Sequence, residues 1–154
     1  MFGPRLAALA ATYCLFGMGS AQAATVTFTG AVVNTCIINI STPGTLGLAA
    51  SGTTLSSEEL GGVNSLLAVI ATGSAPEIQF TAPQLGGPAG SIATATKMIA
   101  YSSLGGAAQA YTASSSSYTM NRLLDTVTIK GKATNTDGFA SGTYTITSTV
   151  TCQQ

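Results

Sequence analysis

Three cysteines, at positions 14, 36 and 152, are the strongest nucleophiles in a sequence with no histidine. Without histidine the commonest general base is missing, and so is the usual activator of a serine or cysteine nucleophile. The serine run Ser114–Ser117 has no base beside it and reads as a loop tip. Glu58 and Glu59 are adjacent, and Ser56 stands three residues before Glu59. That is capping-box spacing, so the two carboxylates are expected on one short helical turn, favoured by the helix dipole. Glu77, Asp125 and Asp137 are isolated in sequence. Asn135-Thr136-Asp137-Gly138 resembles a fragment of a calcium loop but lacks the other acidic ligands and the closing glutamate. It reads as a hairpin turn. Tyr101, Tyr111 and Tyr118 read as sandwich packing, with a sugar-binding surface as the alternative. No glycine cluster forms a phosphate cradle. The chain is therefore expected to be no enzyme, with no catalytic residues, no metal site and no cofactor.

What remains is cysteine chemistry, and it depends on compartment. Arg5 precedes an apolar run, Leu6 to Met18, followed by Ala21-Gln22-Ala23. A basic start, a short apolar stretch and small residues at a cleavage site describe a secretory signal peptide over residues 1–23. The run is shorter than the roughly 20 residues needed to span a bilayer, and no later stretch is long and apolar enough to serve. Cleavage would remove Cys14 and leave residues 24–154 as one domain, exported to the periplasm and the cell surface, or secreted. Cys36 and Cys152 then form an even pair outside the cytoplasm, which reads as one disulfide. Two separate buried thiols are the alternative. Beyond the leader, four cations (Lys97, Arg122, Lys130, Lys132) face five carboxylates, a net charge of −1. So few charges argue against capture of nucleic acid.

The elements that hold the cysteines are strands. Thr25–Val33, Cys36–Ile40, Thr45–Leu48, Leu66–Ala71, Glu77–Thr81, Ile92–Tyr101, Gln109–Thr112, Leu124–Lys132 and Gly142–Cys152 are bounded by Gly/Pro turn chemistry. Leu66–Ala71 is apolar throughout, so periodicity alone leaves strand or short helix open. Val127, Ile129 and Gly131 share one face of their strand. Tyr144, Ile146, Val150 and Cys152 share one face of the last strand, opposite a row of threonines. Val26, Phe28 and Val32 alternate with Gly30 between them, and Cys36 keeps the same parity. The pattern implies an all-β, antiparallel sandwich whose first and last strands are tied through Cys36 and Cys152.

"TVTFTGAVVNTCIINI" resembles the opening of bacterial fimbrial subunits assembled by the chaperone–usher pathway, through Phe28, Gly30, Val32 and Cys36. "TLGLA" and "PEIQFTAP" sit where such subunits carry their next strands, and "GTYTITSTVTC" resembles their terminal strand. The resemblance implies an immunoglobulin-like sandwich, complete or lacking its final strand. It implies a pilin-like structural subunit working in adhesion. Its partners would be a periplasmic chaperone, an usher and sister subunits, and assembly would proceed by strand complementation. The chain departs from the family in three places. Cleavage leaves only Ala24 to Thr27 ahead of Phe28, the cysteine pair joins first strand to last, and the sequence closes Cys152-Gln153-Gln154. These departures favour reading Val26, Phe28, Gly30 and Val32 as the protein's own first strand, serving assembly and core closure. The subunit would then receive a donor strand but hardly give one. The alternative function is a self-complemented secreted module that binds a sugar or protein and does not polymerise.

Overall fold

The computed structural model describes residues 25–154. The expected signal peptide lies outside them. Ala31–Gln154 is one compact unit, and Thr25–Gly30 belong to a separate one. In chain order the elements are β1 (Thr35–Thr42), β2 (Gly47–Leu48), β3 (Thr54–Ser56), β4 (Ser65–Thr72), β5 (Glu77–Phe80) and β6 (Gln84–Gly86). They continue with α1 (Ala89–Ile92), β7 (Thr96–Ser103), β8 (Ala108–Thr112), β9 (Ser116–Thr119), β10 (Leu124–Thr134), β11 (Thr145–Thr147) and β12 (Val150–Gln153). Every strand pairing is antiparallel.

The larger sheet is organised by β10. One edge of β10 pairs first with β4 and then, past Ile129, with β3; the other pairs with β7. β1 lies outside β4 and β8 outside β7. The second layer has β5 between β12 and β9, and β6 paired with β11. Pro83 separates β5 from β6, because a residue without an N–H cannot continue a ladder. At the same level Ser148-Thr149 separates β11 from β12. Thr81 bridges the gap: its N–H donates to the Thr149 carbonyl (3.0 Å) and its carbonyl accepts from Ser148 Oγ (2.7 Å).

Alternation builds the core between the layers. Leu67, Val69 and Ala71 of β4, Ile99 and Tyr101 of β7, and Val127 of β10 face Ile78 and Phe80 of β5, with Met120 beside them. The Phe80 and Tyr101 rings stack at 4.5 Å, and Tyr118 of β9 packs against both. Leu66–Ala71 is thus settled as strand, buried where it meets the opposite layer.

Three local expectations are overturned. The first strand does not begin at Thr25: residues 25–34 carry no strand, and β1 opens at Thr35. Val26, Phe28 and Val32 are 73%, 92% and 80% exposed, and a Cβ added at Gly30 would meet nothing within 4 Å. The alternation is present in the sequence, but among the described residues no strand pairs with it. The expected helical turn at Ser56–Leu60 is a non-helical turn. Ser56 Oγ accepts from the Glu58 N–H (3.1 Å), and the glycines that follow end it. The one short helix among the described residues follows Pro88 instead. Finally, part of the serine run is a strand, β9, covering the edge of β5.

Candidate functional site

β1 and the β11–β12 pair are edge strands. β1 pairs only with β4, β12 only with β5 and β11 only with β6 among the described residues. These edges belong to opposite layers and flank the same side of the sandwich. At one end of that side they are closed. Cys36 of β1 and Cys152 of β12 form a disulfide with Cα atoms 6.3 Å apart, spanning 116 residues of sequence. Gln154 Nε2 donates to the Thr35 and Thr72 carbonyls (2.6 and 2.8 Å), adding a polar latch beside it.

Away from the disulfide the edges part, and a groove of about 590 Å³ opens between them. Ile40, Pro43, Leu46 and Val63 form one wall, and Tyr144, Ile146 and Val150 the other. Leu67, Phe80, Ile99, Ile129 and Gly131 reach it from the core. No charged side chain lines it. The geometry follows from local sequence. Pro43-Gly44 ends β1, so its edge stops short of the far end of the sheet. On the opposite wall the alternation of Tyr144, Ile146 and Val150 with threonines turns one half-buried apolar row inward. An unpaired strand edge beside an apolar trough offers backbone N–H and C=O groups along its length and pockets for alternate side chains. That is the shape that binds an extended peptide.

The structure therefore brings together Cys36, Cys152, Tyr144, Ile146 and Val150 along one side of the sandwich. It leaves Val26, Phe28, Gly30 and Val32 outside any sheet. Sequence reasoning missed Ile40, Leu46 and Val63 as groove residues, because their apolar character is unremarkable until the fold lines them along one trough. It also missed a buried polar cluster at the closed end. Asp125, 1% exposed, accepts from Ser103 Oγ (2.6 Å), from the Gly105 N–H (3.0 Å) and from the Tyr118 hydroxyl (3.2 Å). Burial is the main reason the Tyr118 hydroxyl is pushed well above its ordinary pKa, and the carboxylate beside it adds to this. The cluster fixes the β7–β8 turn, where Gly106 takes a positive φ of 94°. Its one visible signal was parity, since Asp125 lies on the same face as Val127 and Ile129.

Other features do not assemble chemistry. Asn135 is buried and its amide is spent on the fold. Nδ2 donates to the Ser91 carbonyl (2.8 Å), and Oδ1 accepts from Thr94 Oγ1 and the Asp137 N–H (3.3 and 3.0 Å). Tyr111 donates to Glu58, which also pairs with Lys130. Lys130 is the main reason, and Tyr111 the next, that Glu58 sits below the usual carboxylate range. No group of three metal-ligating side chains meets among the described residues. No helix among them is long and apolar enough to cross a membrane. No protein-family model, curated protein or solved structure matches this chain.

Proposed function

We propose that this chain is an exported, fimbria-like structural subunit that joins to further copies by strand complementation. The segment Thr25–Asn34 of one copy enters the groove of the next. The observation that carries this reading is a match of two unsatisfied features. The segment is an alternating apolar row with exposed Val26, Phe28 and Val32, and the groove is an apolar trough between unpaired edges. Each lacks what the other has. Ten residues in extended form reach about 33 Å. The subunit thus acts as donor and acceptor alike, rather than as an acceptor only. The disulfide suits an oxidising compartment, as export requires.

The same reading gives the partners. A groove open before assembly is an aggregation hazard, so a periplasmic chaperone would cover it and an usher would hand it to the next subunit. With the groove filled, the sandwich would be completed in the immunoglobulin-like manner. Analytical ultracentrifugation of the purified exported form is the direct test. The unaltered chain is expected to form concentration-dependent oligomers, and the triple variant Val26→Ser, Phe28→Ser, Val32→Ser a folded monomer. An unaltered chain that stays monomeric and does not bind a Thr25–Asn34 peptide would make this a self-contained binding module instead.

A further inference from the structure

The inward row of β10 reads Asp125, Val127, Ile129, Gly131, Ala133. Gly131 stands in the middle of an eleven-residue strand, paired with buried Ile99 of β7. Glycine weakens a strand interior, so its presence needs a cause. The backbone does not supply one, because Gly131 is not among the residues with positive φ. Its neighbour on one edge changes there from β4 to β3, but that junction uses only the main-chain groups of Gly131 itself. The Gly131 N–H donates to Ser57 Oγ (3.1 Å) and its carbonyl accepts from the Ser57 N–H (2.9 Å). Packing does not supply a cause either. A Cβ at Gly131 would meet Ile146 Cδ1 at 3.5 Å and Leu46 Cδ2 at 3.6 Å, ordinary contacts. The contrast is Gly47, where a Cβ would collide with the Leu60 carbonyl oxygen. Gly47 is required by the fold, whereas at Gly131 a methyl group would fit.

What the missing side chain does leave is room. Gly131 lines the groove between Leu46 on one wall and Ile146 on the other. We infer that Gly131 is the specificity-determining position of the groove, a notch that receives the Phe28 ring of a second copy. The inference rests on the strand-complementation reading above and adds which side chain goes where. Phe28 is the largest side chain in the exposed segment, and it is 92% exposed. Val26 and Val32, on the same face of that segment, carry shorter side chains that reach less far into the trough.

The test is a double-mutant cycle read by fluorescence anisotropy. The full chain carrying Val26→Ser, Phe28→Ser and Val32→Ser, which cannot donate, serves as acceptor. The probes are labelled peptides of the Thr25–Asn34 sequence, unaltered and with Phe28→Ala. On the Gly131 acceptor, Phe28→Ala is expected to weaken binding about a hundredfold, the scale of a lost buried ring. Adding Gly131→Val to the acceptor should weaken the unaltered peptide by about tenfold or more. It should change the Phe28→Ala peptide by less than about threefold, because the new side chain and the ring compete for one space. Gly131→Ala, which the contacts accommodate, should show the same ordering with smaller size and secures the result should the valine variant fold poorly. If Gly131→Val and Gly131→Ala weaken both peptides equally, Gly131 does not receive Phe28 and the inference falls, with strand complementation intact. If the unaltered peptide does not bind the Gly131 acceptor at all, the complementation reading falls and takes this inference with it.

Discussion

The two ends of the open side of the sandwich are built to opposite rules. At the Cys36 end everything is closed. The disulfide joins the layers, Gln154 latches β1 to β4, and the buried Asp125 carboxylate has three donors. Registry puts these features together, since Cys36 pairs with Ala71 and Ile70 pairs with Leu124, next to Asp125. At the Gly131 end two strand edges face an apolar trough with no charge in its lining. A domain that needed only to be stable would close both ends. If copies associate through the open end as proposed, closing one end firmly and leaving the other apolar separates stability from association. The two functions then answer to different residues.

That separation sets the expected sizes of mutational effects. Replacing both Cys36 and Cys152 by serine should have the largest effect, about 4–5 kcal/mol in urea unfolding, from the 116-residue separation that the crosslink constrains. A loss below about 1 kcal/mol would mean the closed end does not depend on its crosslink. Asp125→Ala should come next, at about 2–4 kcal/mol, because it strands the Ser103, Gly105 and Tyr118 donors in a buried site. The same cluster predicts a pH effect. The folded-state pKa of Tyr118 is raised above its unfolded value of about 10. Its contribution is therefore complete below that value and is lost as pH rises further. Unfolding midpoints should fall on the alkaline side of about pH 10 and fall less steeply in Tyr118→Phe.

The open end should respond in the reverse sense. Ile40→Ser, at an exposed rim position, should cost under about 1 kcal/mol of stability yet weaken peptide capture. A stability loss as large as that of Asp125→Ala would erase the contrast between the two ends. The smallest effect is expected at the solvent-exposed Lys130–Glu58 pair. Lys130→Ala should change stability by at most about 1 kcal/mol, and less at high salt, in the same unfolding assay.

Sequence pattern captured the parts of this molecule in which one residue decides its own environment. The period of two over Leu124–Lys132 and over the threonine-rich last strand follows from side chains sorting between a core and water. The cysteine pair was legible for a similar reason, since an even pair with no histidine or further cysteine nearby has few alternatives to a disulfide. What pattern could not decide was ownership. Val26, Phe28 and Val32 alternate as a strand must, but alternation says nothing about which chain provides the partner strand. The groove was hidden for a related reason. It consists of ordinary apolar residues, drawn from strands far apart in sequence, that form a trough only when the fold brings them together. Asp125 was hidden because its three partners come from positions 103, 105 and 118, and only the fold brings them within reach.

If copies link as proposed, the position of the disulfide has a mechanical consequence. Tension arriving through residues 25–34 enters the sandwich at Thr35 and meets Cys36 one residue later. From there a covalent path crosses to Cys152 on β12, the strand that continues the wall of the acceptor groove. The load therefore reaches the far layer without first peeling β1 from β4 by breaking ladder hydrogen bonds one at a time. Pulling single linked copies with and without reductant would register the difference. Oxidised subunits should extend little before a donor strand slips out, whereas reduced subunits should lengthen first by unzipping β1.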